Sequence, residues 1–233
     1  MSLLEFKKVV FPGPLFSGCP PFDLALEAGE CLVLFGRAGV GKELVLKLAA
    51  GILAPEAGEV LTRDARGKGP VPAGYISHKG GLLNNMSLLQ NSMLPAVFHG
   101  ALSLRAAEKR AKAVFDELGI AGLAARLPSM VTASGRMLAQ VARALVAEPA
   151  LIVADQPLSD IDPETARTVR RLLARLKADG RTGLLVSAGN IGPFLGLGDR
   201  FLLARRGRLD IFEGKAGLSA SADPEVRSFL TEE

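Results

Sequence analysis

Between residues 36 and 43 the chain reads Gly36-Arg37-Ala38-Gly39-Val40-Gly41-Lys42-Glu43, a glycine-spaced loop closed by a lysine. These residue types suit a phosphate. Gly36, Gly39 and Gly41 let backbone N–H groups close around anionic oxygens, a following helix adds its positive end, and Lys42 brings a full charge to the outer phosphates. The final position departs from the pattern. A small hydroxyl there would ligate Mg²⁺, and Glu43 offers a carboxylate in its place. The alternative is a plain glycine turn between a strand and a helix.

The flanking sequence supplies the elements such a loop needs. Cys31-Leu32-Val33-Leu34-Phe35 predicts a short buried strand, and Leu44, Val45, Leu46, Leu48 and Ala49 give the apolar positions of a helix that stops at Gly51. Leu151-Ile152-Val153-Ala154 predicts a second buried strand, ending on Asp155. A helix then opens with Asp162 as N-cap and Pro163 as first residue, and ends at Gly180. Leu184-Leu185-Val186 reads as another strand, and residues 200–204 and 209–212 flank a turn at Gly207 in a closing hairpin. Residues 4 to 30, broken by Pro12, Pro14, Pro20 and Pro21, predict a small antiparallel sheet, and residues 56 to 73 a hairpin and loop. From about residue 80 to 148 the pattern is helical, with Ala107, Ala111, Val114, Phe115 and Leu118 on one face. Strands alternating with helices predict an α/β fold with a mostly parallel core sheet and ligand at the strand C-termini. The organisation expected is one domain: a core of about residues 1–79 and 149–233, with an inserted α-helical subdomain over about 80–148.

Composition narrows the classes. A net charge of +4, one Tyr and no Trp give no repeat of basic and aromatic residues, so no nucleic-acid partner is expected. No apolar run reaches the roughly 18 residues of a membrane span, and the N-terminus shows no export signal. Cys19 and Cys31 lack metal-ligand spacing and read as two reduced thiols of a cytoplasmic protein.

With a loop at residue 36, a strand-end Asp155 and a long helical insert between them, the chain resembles the nucleotide-binding subunits of ABC transporters nearly end to end. Within Pro128 to Ala166, residues 141–149 and 155–163 follow that family's signature helix, Walker B strand and D-loop. The tail from Asp223 to Leu230 looks like that of ATPases serving MCE-type lipid transporters of the Mla kind. The resemblance implies a P-loop NTPase fold with an N-terminal antiparallel β subdomain, and ATP and Mg²⁺ as cofactors. It further implies a membrane permease as partner, a homodimer or a heterodimer with another ABC subunit, and a peripheral place on the cytoplasmic face of the inner membrane.

Carried over residue by residue, the family's pattern assigns nucleotide contacts to residues 36 to 43 and to Asp155, and metal ligation to Asp155 and Glu43. Thr132 and Ser134 fall in the signature, where they face the nucleotide of the opposite subunit. Nearly every chemical position is altered. Glu43 stands for the metal-binding hydroxyl, and a carboxylate about 5 Å from a phosphate repels it by roughly 3 kcal/mol at an effective dielectric near 20. His78 falls at the Q-loop glutamine and reads as an ordinary surface or core histidine, ahead of a stretch, residues 79–83, that faces the membrane partner in such subunits. Ala133 and Ser134 replace signature glycines, Gln156 replaces the general base, and Ala188 replaces the switch histidine. Losing such a base costs about 10² to 10⁴ in rate. Because both the Walker B and the signature changes lie in one chain, no pairing restores a standard composite site. The resulting expectation is a dimerising scaffold on a permease, with envelope lipid as cargo and weak or absent hydrolysis. The alternatives are a working ATPase with Glu43 as substitute metal ligand, and a soluble nucleotide-sensing module.

Overall fold

The computed structural model describes residues 2–64, 72–78 and 80–231. In chain order the elements are β1 (Ser2–Val10), β2 (Phe22–Glu27), β3 (Cys31–Phe35), α1 (Lys42–Ala49), β4 (Ala57–Thr62), β5 (Gly74–Ile76), α2 (Leu88–Phe98), α3 (Leu104–Glu117), α4 (Ala133–Leu145), β6 (Leu151–Ala154), α5 (Pro163–Ala178), β7 (Gly183–Ala188), β8 (Arg200–Arg205), β9 (Arg208–Glu213), α6 (Gly214–Ser219) and α7 (Pro224–Thr231). Among the described residues the core sheet has six strands in the order β5-β6-β7-β3-β8-β9. All neighbours are parallel except β8 and β9, which form an antiparallel hairpin. The two-residue turn between them places Gly207 at φ 69.

The central strands are apolar because both faces are covered. Along β3, Cys31, Val33 and Phe35 face one core together with α4 and α5, while Leu32 and Leu34 face a second core with α1 and the N-terminal sheet. This is the period-two alternation of a strand buried on both sides. At about 25 cal/mol per Å² of apolar surface removed from water, these two cores are the main stabilising term.

Among the described residues the N-terminal sheet has three antiparallel strands in the order β2-β1-β4. β4 pairs with β1, Leu4 opposite Thr62 and Phe6 opposite Val60, a partner that the expected hairpin and loop over residues 56 to 73 did not name. The approach is close, since a Cβ on Gly58 would lie 2.3 Å from the Lys8 carbonyl oxygen. Residues 65–71, where the second half of that hairpin would fall, lie outside the described residues. Between β5 and β6 every regular element is a helix. A small cluster of Met93, Ala96, Ala107, Ala111 and Val146 holds α2 and α3 against the end of α4.

Candidate functional site

The parallel strands deliver their C-termini to one edge of the sheet. The loop that starts at Gly36, together with His78, Asp155, Gln156 and Ala188, follows or ends those strands there, whereas Thr132 and Ser134 lie apart at the start of α4. Phe35 pairs with Ala188, and Val186 with Ala154, which in turn pairs with Ile76. Positions 78 and 156 therefore lie two residues beyond a matched pair, and Ala188 ends its own strand at the same level. The loop of residues 36–41 leaves β3 at this edge and enters α1.

Glycine is required at two points of the loop. A Cβ on Gly36, at φ 141, would lie 2.3 Å from the Ala204 carbonyl oxygen, and one on Gly41, at φ 101, would lie 2.6 Å from the Phe16 ring. Gly41 caps α1 in a left-handed conformation without any side-chain cap, which leaves the first-turn N–H groups without a capping side chain and a positive helix end at the loop. Lys42 is 8% exposed. Its ammonium donates to the carbonyl oxygen of Gly36, and to that of Arg37 at 2.9 Å. Burial lowers its pKa, and the charge of Asp155 opposes that shift. The lysine expected to meet phosphate thus rests on carbonyls of its own loop.

Glu43 points elsewhere. Its side chain is 62% exposed and pairs with Lys47 at 2.7 Å, one helical turn on. Asp155 remains at the strand end, where its Oδ1 accepts a 2.6 Å hydrogen bond from the Ser187 hydroxyl. The same hydroxyl oxygen accepts from the Gln156 N–H at 2.9 Å. Mg²⁺ is commonly held by one or two carboxylates together with phosphate oxygens. Asp155 fits that requirement; Glu43, in the rotamer that pairs with Lys47, does not. Among the described residues no group of three or more His, Cys, Asp or Glu could hold a metal.

Gln156 adopts φ 45, a left-handed conformation uncommon for a residue with a side chain. Its Oε1 accepts from Ser159 Oγ at 3.4 Å and lies against Gly189. An amide there can orient water but takes no proton. Ala188 is buried and offers only a methyl group. His78 Nε2 stands 3.2 Å from Asp160 Oδ2, and its Nδ1 is buried without a hydrogen-bond partner among the described residues. It borders a cavity of about 300 Å³ shared with Asp160, Arg136 and Gln140. Lys79, at the start of the stretch read as facing a membrane partner, lies outside the described residues.

The two signature hydroxyls have internal partners. Thr132 caps α4, accepting from the Gly135 N–H at 3.2 Å. Ser134 Oγ donates to Asp162 Oδ2 and accepts from the Asp162 N–H at 3.1 Å. Asp162 also caps α5, with Oδ1 accepting from the N–H groups of Glu164 and Thr165 at 3.0 and 2.9 Å. The Ser134 hydroxyl, followed by the Thr165 donors, holds the Asp162 carboxyl well below the usual range.

Two residues at this edge escaped the sequence reading. Ser187 carried a usable signal, as the one hydroxyl in an otherwise apolar strand. Phe16 carried none, because its contact with Gly41 depends on the N-terminal sheet folding back onto the loop. A cavity of about 820 Å³ opens at the opposite ends of the strands between Gly74, Pro149, Arg143 and Arg175, and none of its lining residues belongs to the loop.

Comparison with known proteins agrees with this geometry. The ABC transporter family model matches residues 20–159. The aliphatic sulfonates import ATP-binding protein SsuB of Burkholderia ambifaria is 33% identical over 187 residues, covering 80% of this chain and 56% of that protein. The lipoprotein-releasing system ATP-binding protein LolD 1 of Rhodopirellula baltica is 28% identical over 204 residues, covering 81% of this chain and 89% of that one. The chain spans little more than half the length of the sulfonate relatives and nearly the full length of the LolD relative. Among solved structures, the ATP-binding subunit of an ABC transporter superposes with a TM-score of 0.81 at 21% identity, over 99% of this chain and 100% of that one. A nucleotide-free ATP-binding cassette does so with a TM-score of 0.79 at 19% identity, over the whole of both chains. A P-loop between β3 and α1, a core sheet with Asp155 at a strand end and a family match over more than half its length place this chain in the ABC transporter family.

Proposed function

We propose that the chain is a nucleotide-binding subunit that dimerises and docks on a membrane permease, and whose hydrolytic step is weak. The observation that carries this reading is Gln156. It occupies the strand-end position of a general base with a side chain that cannot accept the proton of an attacking water. Binding is the better supported half: Lys42, the glycines and the α1 terminus keep the chemistry of an anion site. Glu43, paired outward with Lys47, and Ala188 remove two further groups from the reaction.

For the cargo we propose an envelope lipid or lipid-linked molecule. The tail from Asp223 to Leu230 resembles that of MCE-type lipid transporter ATPases, and the relative that this chain nearly spans is named for lipoprotein release. Docking on a permease is consistent with the exposed apolar side chains Ile52, Leu53, Leu83 and Phe98. No helix among the described residues is long and apolar enough to cross a membrane.

The test is ATP turnover in the assembled complex beside equilibrium binding. The expected result is nucleotide binding that Lys42→Ala removes, with slow turnover that Gln156→Glu raises at least tenfold. Fast wild-type turnover, abolished by Lys42→Ala, would overturn the weak-hydrolysis reading and favour a working ATPase in which another group serves as base.

A further inference from the structure

The end of the chain is fastened to the base of the loop. Phe229 of α7 meets Phe35, the last residue of β3, edge to face with ring centroids 5.3 Å apart. One carboxylate oxygen of Glu225 accepts from Arg205 Nε at 2.8 Å, and the other lies 3.4 Å from Nε of Arg37. Arg205 is itself fixed by Asp210 at 2.7 Å and by Asp223. Glu225 is therefore held by the body of the protein and in turn holds the second residue of the loop.

This contact acts on a loop whose cations are already engaged. The carbonyl oxygens of Gly36 and Arg37 accept from Lys42, and the Arg37 guanidinium faces Glu225 although its side chain is 75% exposed. A phosphate entering the loop draws Lys42 off those carbonyls and attracts Arg37. Glu225 opposes the second step directly, and the first by steadying the Arg37 segment.

We propose that Glu225 is a positioning residue that competes with nucleotide phosphate for Arg37, so that docking of α7 and occupation of the loop are antagonistic. The proposal rests on the nucleotide-binding reading above. Linkage makes the effect reciprocal: whatever loosens α7 tightens phosphate binding, and phosphate binding loosens α7. Measured couplings of exposed ion pairs set the scale at up to about fivefold in affinity.

The test is a double-mutant cycle on the full chain, titrated with ADP plus Mg²⁺ and with inorganic pyrophosphate. Glu225→Gln is expected to tighten binding up to about fivefold in the Arg37 background and not at all in an Arg37→Ala background. The gain should vanish near 1 M salt, where the screening length falls to about 3 Å. Asp223→Asn, which weakens the anchoring of Arg205 and of α7 without touching Arg37, should also tighten binding in the Arg37 background and leave it unchanged with Arg37→Ala. Hydrogen exchange over residues 224–231 should quicken when ADP binds the wild type. Equal effects of Glu225→Gln in both Arg37 backgrounds, or no effect in either, would overturn the competition while leaving nucleotide binding intact. Wild-type protein that binds neither probe would sink both readings.

Discussion

Ser187 is fully buried at the one place where Asp155 and Gln156 need a common partner. Its hydroxyl donates to the first and accepts from the second, so a single oxygen sets both the carboxylate and the peptide that carries the amide side chain. Ser187→Ala leaves a part-buried N–H and a carboxylate oxygen each short of a partner, a cost of about 1 kcal/mol. Urea unfolding should show that loss, and Mg²⁺-dependent ADP binding should weaken with it; a neutral Ser187→Ala in both assays would mean that water replaces the hydroxyl. Much at this scale was legible beforehand. Lys42 and Asp155 are placed by spacing, because a strand, a loop of fixed length and a helix leave little freedom. The side-chain directions were not legible. Glu43 can reach toward a phosphate or toward Lys47, and only the folded environment decides between them.

The joint between α4 and α5 shows what an element adds to its residues. Asp162 followed by Pro163 announces a helix start, and the structure places that cap where it was read. The second use of the same carboxylate, accepting the Ser134 hydroxyl from the start of α4, spans 28 residues and has no local signature. The β1–β4 pairing was not legible for the same reason, since strand partners at long range leave no trace in periodicity. The joint ties the inserted helices to the core and predicts a pH dependence. The carboxyl is depressed on folding, so its stabilisation is fully present above its unfolded value near 3.9 and fades as pH falls below about 4. Ser134→Ala and Asp162→Ala should each lower the thermal midpoint at pH 7, with the difference from wild type shrinking in acid. A difference independent of pH would show that the cap acts by packing alone.

For the whole molecule the sheet was readable because its central strands are short, continuous apolar runs between turn signals, and because the βα alternation admits few topologies. Burial at the sheet centre also provides a direct probe of global opening. Cys31 is fully buried on β3, and burial pushes its thiol up to about 12, with Lys177 opposing the shift. Cys19 is only partly buried, and burial raises its thiol too. A thiol reagent at neutral pH should therefore modify Cys19 in the folded protein and Cys31 only through unfolding, in two separate phases. Because β3 runs directly into the phosphate loop, a ligand on that loop protects the same strand. ADP at about a hundred times its dissociation constant stabilises the folded state by about 2.7 kcal/mol and should slow the Cys31 phase about a hundredfold. Lys42→Ala should abolish that protection without changing the rate of the Cys19 phase. Were Cys31 to react as fast as Cys19, β3 would open locally, and the loop would not rest on the most stable part of the fold.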